Sequence, residues 1–147
     1  MESLDGLFNT ERKCKEHDCS VNNKNVHIIY KPDNGFLDKA VEREFLGTDY
    51  KICDCIIECN DGNLIIIEIL CGNLTNRELK EKKEQLMNCC KVVKNLKEFD
   101  KIKKLILLYK KIDVMKKELP QFRKKLINQR ICNKPLIITN KIADINC

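Results

Sequence analysis

The chain has no tryptophan, three prolines and five glycines in 147 residues, and aromatic side chains make up 5% of it. So little glycine and proline excludes collagen-like, low-complexity and linker sequence. The shortage of aromatics leaves few platforms on which the bases of a single nucleic-acid strand would stack. Long hydrophobic runs are also missing. One of the longest, Leu64-Ile65-Ile66-Ile67, stops at Glu68, far short of the roughly 20 residues of a membrane helix. The first residues, Met1-Glu2-Ser3-Leu4-Asp5, are acidic where a secretion signal carries basic residues. A soluble intracellular protein with no membrane partner is expected. No internal repeat is visible, and the length suits one domain with one sizeable core.

Cysteine and lysine, by contrast, are abundant. The ten cysteines, in a chain read as intracellular, are expected as reduced thiols, metal ligands or small core residues rather than a disulfide framework. Cys53, Cys55 and Cys59 share one parity and are expected on one face of a strand. Cys14, His17 and Cys19 are clustered like zinc ligands, with Cys132 or Cys147 as a fourth. The overall charge of +6 is uneven: residues 1–74 carry 8 basic and 14 acidic residues, and residues 75–147 carry 20 and 8. Carboxylates followed by a strongly basic half suit a metal-dependent enzyme acting on a polyanion. Solvated mixed-charge helix faces would produce the same asymmetry.

Residues 1–25 are polar and aperiodic and read as an N-terminal arm, leaving 26–147 as a single domain. Val26–Tyr30 reads as a strand and Phe36–Leu46 as a helix ending at Gly47. Ile52–Cys59 and Asn63–Cys71 read as strands around Asn60-Asp61-Gly62. Thr75–Phe99 is a long helix, Lys104–Tyr109 a buried strand, and a basic helix around Pro120 reaches about Arg130 before a last strand at Pro135–Thr139. The expected fold is α/β, a mixed β-sheet flanked by helices.

A three-residue hairpin loop combines a type I turn with a left-handed third residue, and Asn60-Asp61-Gly62 fits it. Cys59 then pairs with Asn63, and Asp54 falls opposite Glu68 on the same face, about 4.5–5.5 Å away. Two carboxylates so close, one within an apolar central strand, would be relieved by Mg²⁺ or Mn²⁺. A slipped register or an open, solvated face would remove the conflict.

Helix, Asp-bearing strand, Asp-Gly hairpin, Glu-bearing strand and long helix together resemble the PD-(D/E)xK restriction-endonuclease-like superfamily over about residues 36–110. Asp54 matches its motif aspartate and Glu68 the glutamate of its E-x-K element. Glu42 resembles the first-helix glutamate of the Holliday-junction resolvase branch, and Lys83-Glu84-Gln85-Leu86 is similar to the glutamine motif of RecB-type nuclease domains. The resemblance implies a nuclease with Glu42, Asp54 and Glu68 as metal residues and Asp54, Glu68 and Gln85 as catalytic ones. It also implies a homodimer.

The chain departs from that pattern where the motif lysine should stand, because Leu70 occupies the position. Either the lysine has migrated or the site is inactive. Thr75 and Glu78 form a capping box, and the helix it opens places Lys82 or Lys83 toward the sheet between Leu79 and Leu86. Lys82 is the first candidate; snorkelling to solvent is the alternative. Lys91, Lys94, Lys116, Lys117, Arg123, Lys124, Lys125 and Arg130 are candidate contacts to nucleic-acid phosphates, with duplex or branched DNA favoured. The expected function is hydrolysis of DNA by a divalent-metal-dependent nuclease. The alternative is an inactive nuclease-fold module that binds nucleic acid or a protein.

Overall fold

The structure is a computed structural model, and it describes residues 10–11, 14–16, 19–21, 25–30, 53–95, 99–141 and 145–147. The expected helix at Phe36–Leu46, with Glu42, lies outside the described residues, as do His17 and the side chains of Cys14, Cys19 and Lys94.

The strands are β1 (Thr10–Glu11), β2 (Cys14–Glu16), β3 (Cys19–Val21), β4 (Val26–Tyr30), β5 (Cys55–Cys59), β6 (Leu64–Leu74), β7 (Ile102–Ile112), β8 (Arg130–Ile131) and β9 (Lys134–Thr139). Helix α1 (Asn76–Asn95) links β6 to β7, and α2 (Leu119–Ile127) follows β7. Seven strands form a mixed sheet in the order β1-β4-β5-β6-β7-β9-β8, and β2 and β3 pair separately. From β1 to β6 the neighbours are antiparallel; β6, β7 and β9 run parallel, and β8 returns antiparallel to β9. A parallel neighbour needs a crossover, and the two helices supply both.

Local chemistry explains the elements. Cys59 and Gly62 close the hairpin turn, Gly62 N–H donating to Cys59 O at 2.9 Å and Cys59 N–H to Asn63 O at 2.8 Å. Gly62 has φ +86°, a conformation that a Cβ disfavours. The Asn63 amide donates to the Asp61 carboxylate at 3.0 Å and is the main reason that this carboxyl lies below its usual pKa. Thr75 Oγ1 accepts from the Glu78 N–H at 3.1 Å, satisfying one orphan amide at the start of α1. Pro120 stands in the first turn of α2, where a missing N–H costs nothing.

Alternation along the strands divides the core. Leu64, Ile66, Leu105, Leu107 and Leu136 face both helices and meet Leu79, Leu86, Cys90 and Val93 of α1 and Phe122 and Leu126 of α2. Ile57, Ile65, Ile67, Ile69, Ile106 and Leu108 face the opposite side with Ile29 and Ile145. Each such fully buried side chain contributes about 1.5–3 kcal/mol. Among the described residues no helix is long and apolar enough to cross a membrane.

Two expectations about cysteine are corrected. Cys55 and Cys59 join the core opposite the helices, but Cys53 joins the helix side, because a bend at Asp54 interrupts the alternation. Cys53, Cys55, Cys59, Cys89 and Cys147 are disulfide-bonded and not thiols; Cys53 bonds Cys89 and Cys59 bonds Cys147. Their Cα atoms are 5.8 and 5.6 Å apart, within disulfide reach. These partners lie 36 and 88 residues apart, so no spacing motif announces them. Cys147 is thereby removed from the candidate zinc ligands.

Candidate functional site

The hairpin brings the carboxylates of Asp54 and Glu68 together. Cys55 pairs with Ile67 and Glu58 with Leu64, so one step further along the ladder sets Asp54 against Glu68. Asp54 stands just before β5 and is 3% exposed; Glu68, in the middle of β6, is 0% exposed. Because β5 begins at Cys55, the Ile69 amide lies beyond the last rung. It donates instead to Asp54 Oδ2 at 2.6 Å, which satisfies a buried donor and fixes the carboxyl in place.

Glu68 shares its side of β6 with Ile66 and Leu70, the side that α1 covers. Lys82 extends from α1 toward it, with Nζ 3.5 Å from Glu68 Oε1. Lys82 keeps 20% of its side chain exposed against 1% for Glu68, so the ion pair leads from a buried carboxylate to the surface. Neither Glu68 oxygen has a hydrogen-bond partner among the described residues. Burial, first, and then the adjacent Asp54 carboxyl push the Glu68 carboxyl well above its usual pKa, and Lys82 pulls the other way.

The choice between two lysines is resolved by the second helix. Lys83 turns from the sheet and donates to Gln129 Oε1 beyond α2, leaving Lys82 as the lysine at Glu68. Gln85, one turn after Lys82, is half-buried. Leu70 is half-buried against the helix-side core, where it packs and can offer no charge. The Cys53–Cys89 bond ties the residue before Asp54 to α1, and the Cys53 N–H approaches Cys89 Sγ at 3.2 Å. That tether links the two elements carrying Asp54 and Lys82, and sequence reasoning did not find it.

Asp54 and Glu68 are a two-carboxylate set that fits a hard divalent cation. Glu68 has the Lys82 ammonium on one side and no hydrogen bond among the described residues, and Mg²⁺ is commonly held by one or two carboxylates with water and substrate phosphate completing its shell. Among the described residues there is no group of three or more His, Cys, Asp or Glu placed to hold a metal. Nothing in the described residues assembles the zinc set of Cys14, His17 and Cys19, whose side chains lie outside them.

The basic candidates occupy several surfaces. Lys91 is on the exposed face of α1, Lys116 and Lys117 lie in the turn before α2, Arg123, Lys124 and Lys125 line α2, and Arg130 begins β8; all are exposed. Lys125 Nζ donates to Asn76 Oδ1 at 3.0 Å, and Arg130 donates to the Asn133 carbonyl. Compared with known protein families, curated proteins and solved structures, the chain matches none.

Proposed function

We propose that this chain is a divalent-metal-dependent nuclease of restriction-endonuclease-like fold that hydrolyses DNA, with Lys82 taking the part of the motif lysine absent at Leu70. The observation that carries this reading is the buried Asp54–Glu68 pair with a lysine ammonium 3.5 Å from Glu68. A purely structural core position would favour another apolar residue, since even an ion-paired buried carboxylate regains little more than its desolvation cost.

In this reading Asp54 and Glu68 hold Mg²⁺ or Mn²⁺, and Glu42, which lies outside the described residues, is a further ligand through water. The metal supplies Lewis-acid stabilisation of phosphate charge and lowers the pKa of a bound water. The Ile69 amide holds Asp54 in position. Lys82 orients Glu68 and keeps its ammonium at the mouth of the site, where it meets a phosphate oxygen; Gln85 contributes from the next turn of the same helix. The exposed lysines and arginines of α1, α2 and the turn before α2 contact backbone phosphates, giving sequence-independent, salt-dependent affinity. A second copy of the chain would supply the second cut of a duplex.

The second reading is a binding module on the same fold, and Leu70 is the observation that favours it. The test incubates the protein with linear duplex, single-stranded and four-way DNA in Mg²⁺ or Mn²⁺, with Asp54→Asn and Lys82→Ala alongside. Cleavage by the parent and by neither variant is the expected result. DNA retained but uncut under all conditions would overturn the nuclease reading in favour of the binding module.

A further inference from the structure

A concave site lies between α1 and α2, apart from Asp54 and Glu68. Its cavity measures about 690 Å³, within the roughly 300–1,000 Å³ of small-molecule sites. Arg77, Lys80, Lys83 and Lys125 line it against a single carboxylate, Glu84, while the exposed Met87, with the buried Leu79 behind it, gives an apolar side.

The way two of these lysines are held distinguishes the groove from an ordinary solvated lysine face. Lys83 is fixed by Gln129 Oε1 and Lys125 by Asn76 Oδ1. Both acceptors are neutral amides, so the ammonium groups are positioned without their charge being cancelled. Gln129 is itself oriented, its Nε2 donating to the Lys125 carbonyl at 2.8 Å, which leaves its oxygen for Lys83. Arg77 is engaged by Glu81 at 3.2 Å and adds less net charge. The start of α1, at Asn76, opens into the same groove with its positive dipole end. Positioned cations call for an anion, and an apolar side next to them calls for a flat apolar surface on the same ligand.

We propose that the α1–α2 groove binds a nucleotide, its phosphate between Lys83 and Lys125 and its base against Met87. The ligand is a free nucleotide or the phosphorylated end of a strand, since both present this chemistry. The site is separate from the Asp54–Glu68 pair and does not depend on a metal or on turnover.

The experiment titrates the full chain, in EDTA, with deoxyadenosine monophosphate, a 5′-phosphorylated pentanucleotide and inorganic phosphate by calorimetry. The mononucleotide is expected to bind at least about tenfold more tightly than phosphate. Lys83→Gln and Lys125→Gln should each weaken it about tenfold, as loss of one charge-assisted hydrogen bond does. Met87→Ser should narrow its advantage over phosphate, while Glu68→Gln leaves binding unchanged. Tighter binding of the pentanucleotide identifies a strand end as the ligand; equal or weaker binding identifies a free nucleotide. Absence of mononucleotide binding, phosphate binding as tightly, or affinity indifferent to both lysine changes would overturn the proposal.

Discussion

Glu68→Gln perturbs the site at its most consequential group, because it keeps the side chain's shape and deletes its ionisation. The carboxyl is fully buried, 3.5 Å from Lys82, with no hydrogen-bond partner among the described residues. Its pKa in the folded chain is raised by burial and by Asp54 above the unfolded value of about 4.3. Below that value both states hold the proton and the group imposes no penalty. As the pH rises, the unfolded chain releases the proton while the folded chain keeps it, so stability is lost until the pH passes the folded pKa. Within this window the loss is about 1.4 kcal/mol per pH unit. The glutamine variant should therefore match the parent near pH 4.3 and become progressively more stable than it toward neutrality. Urea denaturation followed by circular dichroism in EDTA, repeated from pH 4.5 to 7.5, measures the difference. Saturating Mn²⁺ should then stabilise the parent, by about 2.7 kcal/mol at a hundred times its Kd, and leave the variant unmoved. Parallel stability profiles for the two proteins, or equal stabilisation by Mn²⁺, would refute the account of Glu68 as a raised carboxyl awaiting a cation.

Lys82→Met should lower cleavage about 10²–10³-fold, the usual cost of losing one preorganised charge-stabilising group. Adding Leu70→Lys to it should restore part of the rate in the same gel assay, since residue 70 shares the Glu68 side of β6; failure of both effects would separate Lys82 from the chemistry. Reducing the disulfide between Cys53 and Cys89, or replacing both by Ala, releases a loop of 36 residues and should cost about 4 kcal/mol in urea denaturation. Equal midpoints with and without a dithiol would contradict that link. Gly62→Ala should destabilise by about 1–2 kcal/mol. Nothing lies within 4 Å of the added Cβ, so the cost is one of backbone conformation alone, and Gly62→Asn should recover part of it.

The sequence by itself determined the hairpin and its register. Asn60-Asp61-Gly62 allows a three-residue loop with glycine in the left-handed position, and a period of two then fixes every opposed pair as far as Cys55 and Ile67, next to Asp54 and Glu68. It also determined the start of α1, through the Thr75–Glu78 contact, and the buried character of residues 64–67 in β6 and 105–108 in β7, which are uninterrupted apolar runs. These are local matters, settled by turn chemistry, capping and alternation over a few residues. Tertiary structure decided what depends on distant segments meeting. Helical spacing admitted either Lys82 or Lys83 toward the sheet. The packing of α2 beside α1 drew Lys83 to Gln129, 46 residues away, and left Lys82 to Glu68. The partners of Cys53 and Cys59, the use of Asp54 to satisfy the Ile69 amide, and the short strands β1 to β3 carry no periodic signal of their own. They exist because the folded chain must pair buried polar groups and sheet edges with whatever the topology brings near.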